Sequence, residues 1–276
     1  MLLKILAGLA LAAAVWAAVV LEVSVWAVIG LFFGCFAVLL LLAAAFLGLV
    51  CLPVDIHKPQ HEDSPFYRAV MYIYIELLMQ VVGIRVETSG LEKTPKSGRF
   101  LLVCNHQNES DPGILHHYFR KSQLAFISKR ENATMPVVGK FMHKTLCQMV
   151  NRENDREALK TIIKCVQLVK EDKVSICAFP EGGILEKDKL SHFRNGMFKI
   201  AQKTKVPIVV CTMTGTSDLF HNIRHLKRTH VTLHLVGVIP PWELEGKTTV
   251  EIGDRVYDMM ITDLGEEYRP AVADNT

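Results

Sequence analysis

The sequence predicts an α/β fold whose mostly parallel or mixed sheet is flanked by helices and preceded by an apolar hairpin of membrane helices. Two observations lead to this prediction. From Ile5 to Val54 the single charged residue is Glu22, and so long an apolar run is typical of membrane-embedded helices. In the about 220 residues that follow, short apolar runs alternate with amphipathic helical patterns, which indicates a sheet covered on both faces.

The N-terminal apolar segment is too long for one membrane helix. Fifty residues of helix would measure about 75 Å, against about 30 Å of hydrocarbon. A break near Glu22 leaves apolar arms at Ile5–Leu21 and Val25–Leu52. A break at Gly30–Gly34 would balance the arms but bury the Glu22 carboxylate in lipid, at a cost of a few kcal/mol. We therefore predict a break near Glu22 and a membrane anchor over residues 1–54, whose short first arm spans the bilayer or only dips into it.

The alternative for this segment is a cleaved signal peptide, with Lys4 ahead of the apolar stretch. A second and longer apolar segment follows at once, which favours an anchor. Both ends of a hairpin face the same side of the membrane, and Lys4, Lys58 and the basic domain behind them place that side in the cytoplasm. We expect a bacterial cytoplasmic membrane, with the endoplasmic reticulum as the alternative.

Residues 55–276 carry the predicted α/β domain. Its first helix is predicted at Ser64–Val82, with Ser64 as N-cap and Pro65 at the first helical position. Strands are predicted at Phe100–Cys104, Leu124–Ser128, Val174–Phe179, Ile208–Thr214 and Val231–Val238. Further helices are predicted at Gly113–Arg120, Pro136–Lys144, Asp155–Lys170, Phe193–Lys203 and about Thr248–Leu264.

The stretch "NHQNESD" at 105–111 follows one predicted strand and leads into a helix. Sites in open α/β sheets form at the carboxyl ends of strands, and "FPEGG" at 179–183 follows a second strand in the same way. A histidine can take a proton from an alcohol, and a carboxylate can fix its tautomer and orientation. His106 and Asp111 are the candidate pair. The alternative is that Asp111 only caps the helix and His106 is a turn residue.

Such a pair would act as a base on a hydroxyl group, as in acyl transfer from a thioester to an alcohol. A G-x-S-x-G nucleophile motif is lacking in the sequence, so the histidine would activate the substrate hydroxyl directly. Residues 112–152 have a net charge of +6, with Glu131 as the one acidic residue. This suits the phosphates of coenzyme A, of a carrier protein or of a lipid acceptor, although a solvated basic face is the alternative. The cationic residues are Arg120, Lys121, Lys129, Arg130, Lys140, Lys144 and Arg152.

Nucleic acid and metal ions are not expected partners. Stacking aromatic residues are not interleaved with the basic ones, as they are in single-strand binders. His116 and His117 lack a third ligand at a useful spacing. The seven cysteines show neither metal spacing nor a disulfide framework, which indicates reduced, buried thiols. We expect no cofactor beyond the acyl donor itself.

Together these stretches resemble the glycerophospholipid acyltransferase family, and within it the lysophosphatidic acid acyltransferases, over about residues 85–240. "NHQNESD" is similar to the family's N-H-x4-D block. The segment from "SKREN" to "VNREN" at 128–154, with Gly139 inside it, resembles the second block. "FPEGG" resembles the third block, F-P-E-G-T, and "VPIVV" at 206–210, centred on Pro207, resembles the fourth.

The resemblance implies a role for each matching residue. His106 would be the general base and Asp111 the residue that orients it. Substrate contacts would come from the rest of the blocks, with a lysine and an arginine placing the phosphate of the acceptor. These substrate-binding positions are Asn105, Lys129, Arg152, Glu181, Gly182 and Gly183. The expected activity is acylation of lysophosphatidic acid to phosphatidic acid, within phospholipid biosynthesis, by residues 55–276.

One position departs from the family's pattern. The third block usually continues E-G-T-R-S, and its arginine grips a phosphate, whereas this chain has Ile184 at the arginine position. Lys187, Lys189 or Arg194 could compensate from nearby. Otherwise the acceptor is another lyso-lipid. A membrane-anchored lipid-binding protein without activity and a thioester hydrolase are the remaining alternatives.

Overall fold

The computed structural model describes residues 2–22, 24–151, 153–184 and 186–270. These residues form nine α-helices and one seven-stranded sheet. The helices are α1 Leu2–Leu21, α2 Val25–Cys51, α3 Pro65–Val81, α4 Asp111–Tyr118, α5 Val138–Lys144, α6 Asp155–Lys170, α7 Lys199–Thr204, α8 Leu219–Arg224 and α9 Thr249–Leu264. The strands are β1 Ile84–Ser89, β2 Leu101–Cys104, β3 Leu124–Lys129, β4 Gln148–Val150, β5 Ser175–Ala178, β6 Ile208–Thr214 and β7 Thr229–Ile239.

The sheet confirms the predicted mixed α/β architecture. Its strand order is β1-β7-β6-β2-β5-β3-β4. Every neighbouring pair is parallel except β6 and β7, which are antiparallel. The carboxyl ends of strands β2, β5, β6 and β3 therefore lie along one edge of the sheet, the edge that runs across the strands. Strands β7 and β1 begin at that same edge, because Thr214 at the end of β6 pairs with Thr232 near the start of β7.

Successive residues of the central strands face two separate cores, as the period-two alternation of a strand requires. Leu101 and Val103 pack with α6, α7 and α9 on one face. Leu102 and Cys104 pack with α3 and α4 on the other. All four residues of β2 are buried, which explains why this strand is a continuous apolar run in the sequence.

The hairpin turns at the predicted place. Helix α1 ends at Leu21, Glu22 has a positive φ of 47°, and α2 begins at Val25 after its N-cap Ser24. Ala10 and Ala14 are buried in the hairpin, where small side chains allow the two helices to approach closely. Both helices are long and apolar enough to cross a membrane, with mean hydropathies of 2.2 and 2.7.

Helix α3 fixes the hairpin to the domain. The hydroxyl of Tyr67 donates to the carbonyl oxygen of Val50 at 3.1 Å, and that of Tyr74 donates to Ala43 at 2.6 Å. Both contacts step seven residues along each helix in opposite directions, so α3 runs antiparallel to α2. On its other side the buried Arg68 is paired with Asp63 and donates to carbonyl oxygens of the domain.

The five predicted strands and the predicted helices are present, with ends that differ by a few residues. Strands β1 and β4 and helix α8 were not predicted. β1 is an outermost strand of the sheet and carries Arg85 and Glu87. β4 has three residues and α8 has six. The pattern at Phe193–Lys203 begins as a 3-10 turn, Asn195–Phe198, before α7.

Candidate active site

The loop after β2 holds the histidine and the aspartate together. His106 Nδ1 lies 2.9 Å from Asp111 Oδ2. The same oxygen accepts the backbone N–H groups of Gln107 at 2.7 Å and Asn108 at 2.9 Å. Asp111 is fully buried at the first turn of α4, where these donors and the helix dipole stabilise its charge. The carboxylate therefore holds the proton of His106 on Nδ1 and leaves Nε2 free to accept one.

The loop after β5 supports the histidine from a second side. The ring of Phe179 stacks on that of His106, with centroids 4.0 Å apart and planes 13° apart. Glu181 accepts the backbone N–H of His106 at 2.8 Å and that of Ser191 at 2.9 Å. Burial raises the pKa of the Glu181 carboxyl, and the two backbone donors oppose that shift. Both carboxylate oxygens of Glu181 thus hold the backbone of two loops in place.

Asn105 ties the site to the next strand. Its Nδ2 donates to the carbonyl oxygen of Met213 at 2.8 Å, and the Met213 N–H donates to its Oδ1 at 2.7 Å. Its side chain is buried. The structure therefore places this predicted substrate-binding residue between β2 and β6, where it fixes the start of the histidine loop.

A strap formed by residues 186–191 joins the three loops, and the sequence did not predict it. Asp188 Oδ1 accepts from Gln107 Nε2 at 3.1 Å and from Ser217 Oγ at 3.0 Å. Asp188 has a positive φ of 54°, a conformation that is uncommon for a non-glycine residue. One carboxylate oxygen thereby links the loops that follow β2, β5 and β6. These partners are far apart in sequence, so spacing gave no signal for them.

Two predicted motif glycines are required by their surroundings. Gly182 has a φ of +77°, and a Cβ there would lie 2.9 Å from the side chain of Arg194. A Cβ on Gly139 would lie 2.1 Å from the carbonyl oxygen of Ala133. Gly183 is buried in the same turn as Gly182. The turn after Glu181 consequently lies against the side chain of Arg194 at Gly182.

Lys129 stands at the end of β3 and its side chain is exposed. Strand β3 is two places from β2 in the sheet, so about 10 Å separates the two strands laterally. Register places the ends at a similar height, because Phe126 and Leu102 both pair with Cys177. Arg152, the other predicted phosphate ligand, lies outside the described residues.

The residues around the missing arginine are mostly engaged. Ile184 is 43% exposed. Lys187 Nζ pairs with Asp218 at 2.7 Å, and Lys189 Nζ donates to the Glu267 carbonyl oxygen at 2.6 Å.

Two lysines of the predicted basic cluster, Lys140 and Lys144, contact the end of α2 and the segment that follows it. Lys140 Nζ donates to the Cys51 carbonyl oxygen at 2.8 Å, and Lys144 Nζ donates to Gln60 at 2.9 Å. A cation at the carboxyl end of a helix stabilises its unpaired carbonyl groups. Lys140 therefore has a structural role at the base of the hairpin, and Lys144 joins α5 to the segment between α2 and α3.

The arrangement suits base catalysis on a bound hydroxyl. Within the described part of the chain, His106 has no hydrogen bond to a serine or cysteine side chain. The nearby Cys104 is fully buried, and burial raises the pKa of its thiol well above the usual range. Among the described residues no group of three or more His, Cys, Asp or Glu is placed to hold a metal ion. The group at this edge that suits proton transfer is a partly exposed histidine in contact with a buried aspartate.

Comparisons with known proteins indicate the type of protein and agree with the fold. The model of the acyltransferase family matches residues 85–214. The chain is similar to 1-acyl-sn-glycerol-3-phosphate acyltransferase alpha of Homo sapiens, at 26% identity over 79% of this chain and 76% of that protein. The corresponding Saccharomyces cerevisiae enzyme is 27% identical over 74% of this chain and 68% of its own length. A probable enzyme of the same name from Mycoplasma pneumoniae is 28% identical over 58% of this chain and 61% of its own length.

A solved structure shares the whole fold. The crystal structure of the 1-acyl-sn-glycerophosphate (LPA) acyltransferase from Thermotoga maritima aligns with a TM-score of 0.61 at 20% identity. The alignment covers 98% of this chain and 99% of that one, so both the hairpin and the domain have counterparts. The predicted fold class is thereby confirmed. The histidine and aspartate lie inside the segment that the acyltransferase model matches, and the chain is similar to the 1-acyl-sn-glycerol-3-phosphate acyltransferases.

Proposed function

We propose that this protein is an O-acyltransferase that transfers an acyl group from a thioester donor to the free hydroxyl of lysophosphatidic acid, giving phosphatidic acid. The donor is acyl-CoA or acyl-carrier protein. The observation that carries the proposal is the contact of His106 with the buried Asp111 at the carboxyl edge of the sheet. The names of the curated relatives support the class of reaction and of acceptor.

The proposed reaction begins with the proton of the acceptor hydroxyl. His106 Nε2 takes it while the oxygen attacks the thioester carbonyl carbon, and Asp111 stabilises the imidazolium that forms. A tetrahedral oxyanion results, and the loop N–H groups at the strand ends are the donors available to it. The C–S bond then breaks, and the leaving sulfur takes the proton from His106. The ester and the free thiol are the products.

The proposed setting is the membrane surface. Residues 1–54 form the anchor, residues 55–276 the catalytic domain, and we place the domain on the cytoplasmic side of a bacterial cytoplasmic membrane. Both acceptor and product are lipids, so an anchored domain meets them without leaving the bilayer. The apolar surface of α1 and α2, which is largely exposed, supports this part of the proposal.

A second acceptor is favoured by one observation. Ile184 stands where the family usually has an arginine, and its exposed side chain cannot bind an anion. An acceptor that lacks a phosphomonoester, such as another lyso-lipid, would fit that change. Phosphate recognition would otherwise depend on Lys129, Arg152 or Arg194.

The test is thioester consumption by purified protein in detergent, with palmitoyl-CoA and with or without lysophosphatidic acid. Wild-type protein should release thiol only when the acceptor is present. His106→Ala should reduce turnover by at least about a hundredfold, while its thermal unfolding stays normal. His57→Ala changes an exposed histidine outside the loop and serves as the matched control.

Each alternative has its own outcome. Release without an acceptor indicates a hydrolase, and release with a different lyso-lipid indicates another acceptor. A folded protein inactive with every donor and acceptor would support a lipid-binding role. Near-normal turnover in His106→Ala would refute the mechanism.

A further inference from the structure

Helix α8 and the turn after it expose three large apolar side chains. Phe220, Ile223 and Leu226 are 56%, 37% and 97% exposed. Their three-residue spacing places them on one side of a helical turn. Leu226 stands beyond the end of α8 and has a positive φ of 52°, so it projects from the turn. We call these three residues the apolar tip.

Basic residues surround the apolar tip. The segment 219–228 contains Arg224, Lys227 and Arg228 and has no acidic residue. All three cations are exposed. Apolar side chains bordered by cations are the combination that binds the interface of an anionic bilayer, where the side chains enter the acyl boundary and the cations meet phosphates.

The apolar tip lies at the edge of the sheet that holds the site. The Thr229 N–H donates to the Gly83 carbonyl oxygen at 3.1 Å, which joins the start of β7 to the end of α3. Strand β7 begins at the edge where β2 ends, because β7 is antiparallel to β6. Two strand spacings, about 10 Å, separate β7 from β2. The apolar tip and His106 therefore share one edge of the domain.

The same edge is the one toward which the hairpin extends. Tyr67 contacts Val50 of α2 and Tyr74 contacts Ala43. From Tyr67 to its carboxyl end, α3 therefore runs from the base of α2 toward the turn of the hairpin. The carboxyl end of α3 also exposes Leu78 and Val81. Exposed apolar side chains are thus present on the hairpin, at the end of α3 and at the apolar tip.

We propose that the apolar tip, with Arg224, Lys227 and Arg228, is a second membrane contact that binds anionic phospholipid headgroups. The proposal rests on the membrane anchoring proposed above for residues 1–54. Because α3 fixes the hairpin to the domain, the two move as one body, and the hairpin alone leaves the tilt of that body against the membrane surface unset. A second contact at the edge that carries His106 fixes the tilt and holds the site against the lipid surface.

The first experiment measures the depth of single labels. Leu226→Cys carries an environment-sensitive fluorophore on a background with Cys35→Ser, since the other native cysteines are buried. The protein is placed in phosphatidylcholine vesicles with and without phosphatidylglycerol. We expect a blue shift at position 226 that is larger with phosphatidylglycerol, together with quenching by spin-labelled lipid.

Two control labels separate this proposal from the anchoring. Trp242→Cys replaces another large exposed side chain, just after the end of β7 that is opposite to the apolar tip, and should show neither response. Val38→Cys on α2 reports insertion of the hairpin. A label at 38 that shifts while the label at 226 does not would overturn the second contact alone. A silent label at 38 would overturn the anchoring and, with it, the second contact.

The second experiment tests the charges. Arg224→Glu combined with Lys227→Glu should abolish the effect of phosphatidylglycerol on the label. It should also lower turnover several-fold with acceptor in anionic vesicles and leave turnover in detergent micelles unchanged. Lys199→Glu with Lys203→Glu on α7 is the matched control, since both lysines are exposed. An equal loss in micelles, or an equal label response in neutral vesicles, would overturn the headgroup assignment.

Discussion

His116→Phe should remove a large part of the protein's acid sensitivity. His116 lies on α4 with 7% of its surface exposed, and its ring centroid is 4.7 Å from that of Phe126. Burial, and then the positive charge of Arg68, lower the pKa of His116 to about 3. Its Nδ1 has no hydrogen-bond partner among the described residues. The native structure therefore holds a neutral, buried imidazole on α4, the same helix that carries Asp111.

The sign and size of the effect follow from the two pKa values. In the unfolded chain His116 has its ordinary pKa of 6.5, so between pH 6.5 and 3 the unfolded state binds a proton that the native state excludes. Stability is thus fully present above pH 6.5 and falls as the pH is lowered toward 3. Linkage gives a loss of about 2 kcal/mol between pH 7 and pH 5 from this one residue.

Thermal unfolding in detergent at pH 7 and pH 5 measures the effect. A loss of this size corresponds to roughly 4–8 °C in Tm for a domain of this length. Phenylalanine suits the site, because the neighbours of His116 are aromatic and no hydrogen bond of Nδ1 is lost. The pKa values of His117 and His143 are also lowered by burial, but both residues are present in wild type and variant. If His116→Phe loses as much stability on acidification as wild type, the neutral buried histidine is refuted.

Three further predictions concern the strap, the second motif and the missing arginine. Asp188→Ala should lower kcat about tenfold with an unchanged KM for the acceptor, because the loop of Gln107 loses its tether. Asp188→Asn keeps an oxygen that accepts these hydrogen bonds and should restore kcat. If Asp188→Ala and Asp188→Asn both have the kinetics of wild type, the tether is contradicted. Gly139→Ala should lower stability by roughly 2 kcal/mol through its contact with a backbone oxygen, measured as a fall in Tm, whereas Gly196→Ala has open space and should be neutral. Ile184→Arg should lower the KM for lysophosphatidic acid relative to Ile184→Gln, and an unchanged KM would show that phosphate is gripped elsewhere.

The fold was predictable where burial dictates the sequence. β2, β5 and β6 lie in the middle of the sheet and are buried on both faces, so they are apolar runs that stand out between polar turns. β1 and β4 lie at the two edges, where a half-exposed strand carries mixed residues and has little signal. The break near Glu22 was predictable for the same reason, since a carboxylate in lipid is costly.

The site was predictable only in its local parts. His106 and Asp111 are five residues apart and form their contact within one loop, so spacing alone brings them together. Asp188 and Ser217 meet only because strands from distant parts of the sequence end side by side. Phe179 belongs to the stretch FPEGG, but the stretch does not predict that its ring stacks on His106, because that contact depends on the order of the strands. Contacts between separate loops are set by topology, which no short pattern records.

The hydrogen bonds of the site indicate a structural role for polar residues of the motifs. The amide of Asn105 is engaged with Met213, and both oxygens of Glu181 are engaged with backbone N–H groups. These side chains set the positions of loops, and in the proposed mechanism His106 is the motif residue that receives the proton of the reacting hydroxyl. Lys187 and Lys189 are likewise turned to other partners. We therefore propose that an acceptor phosphate is recognised either on the β3 side of the site, where Lys129 ends its strand exposed, or by Arg194 beside Gly182, and selectivity among lyso-lipids is to be sought at these two places.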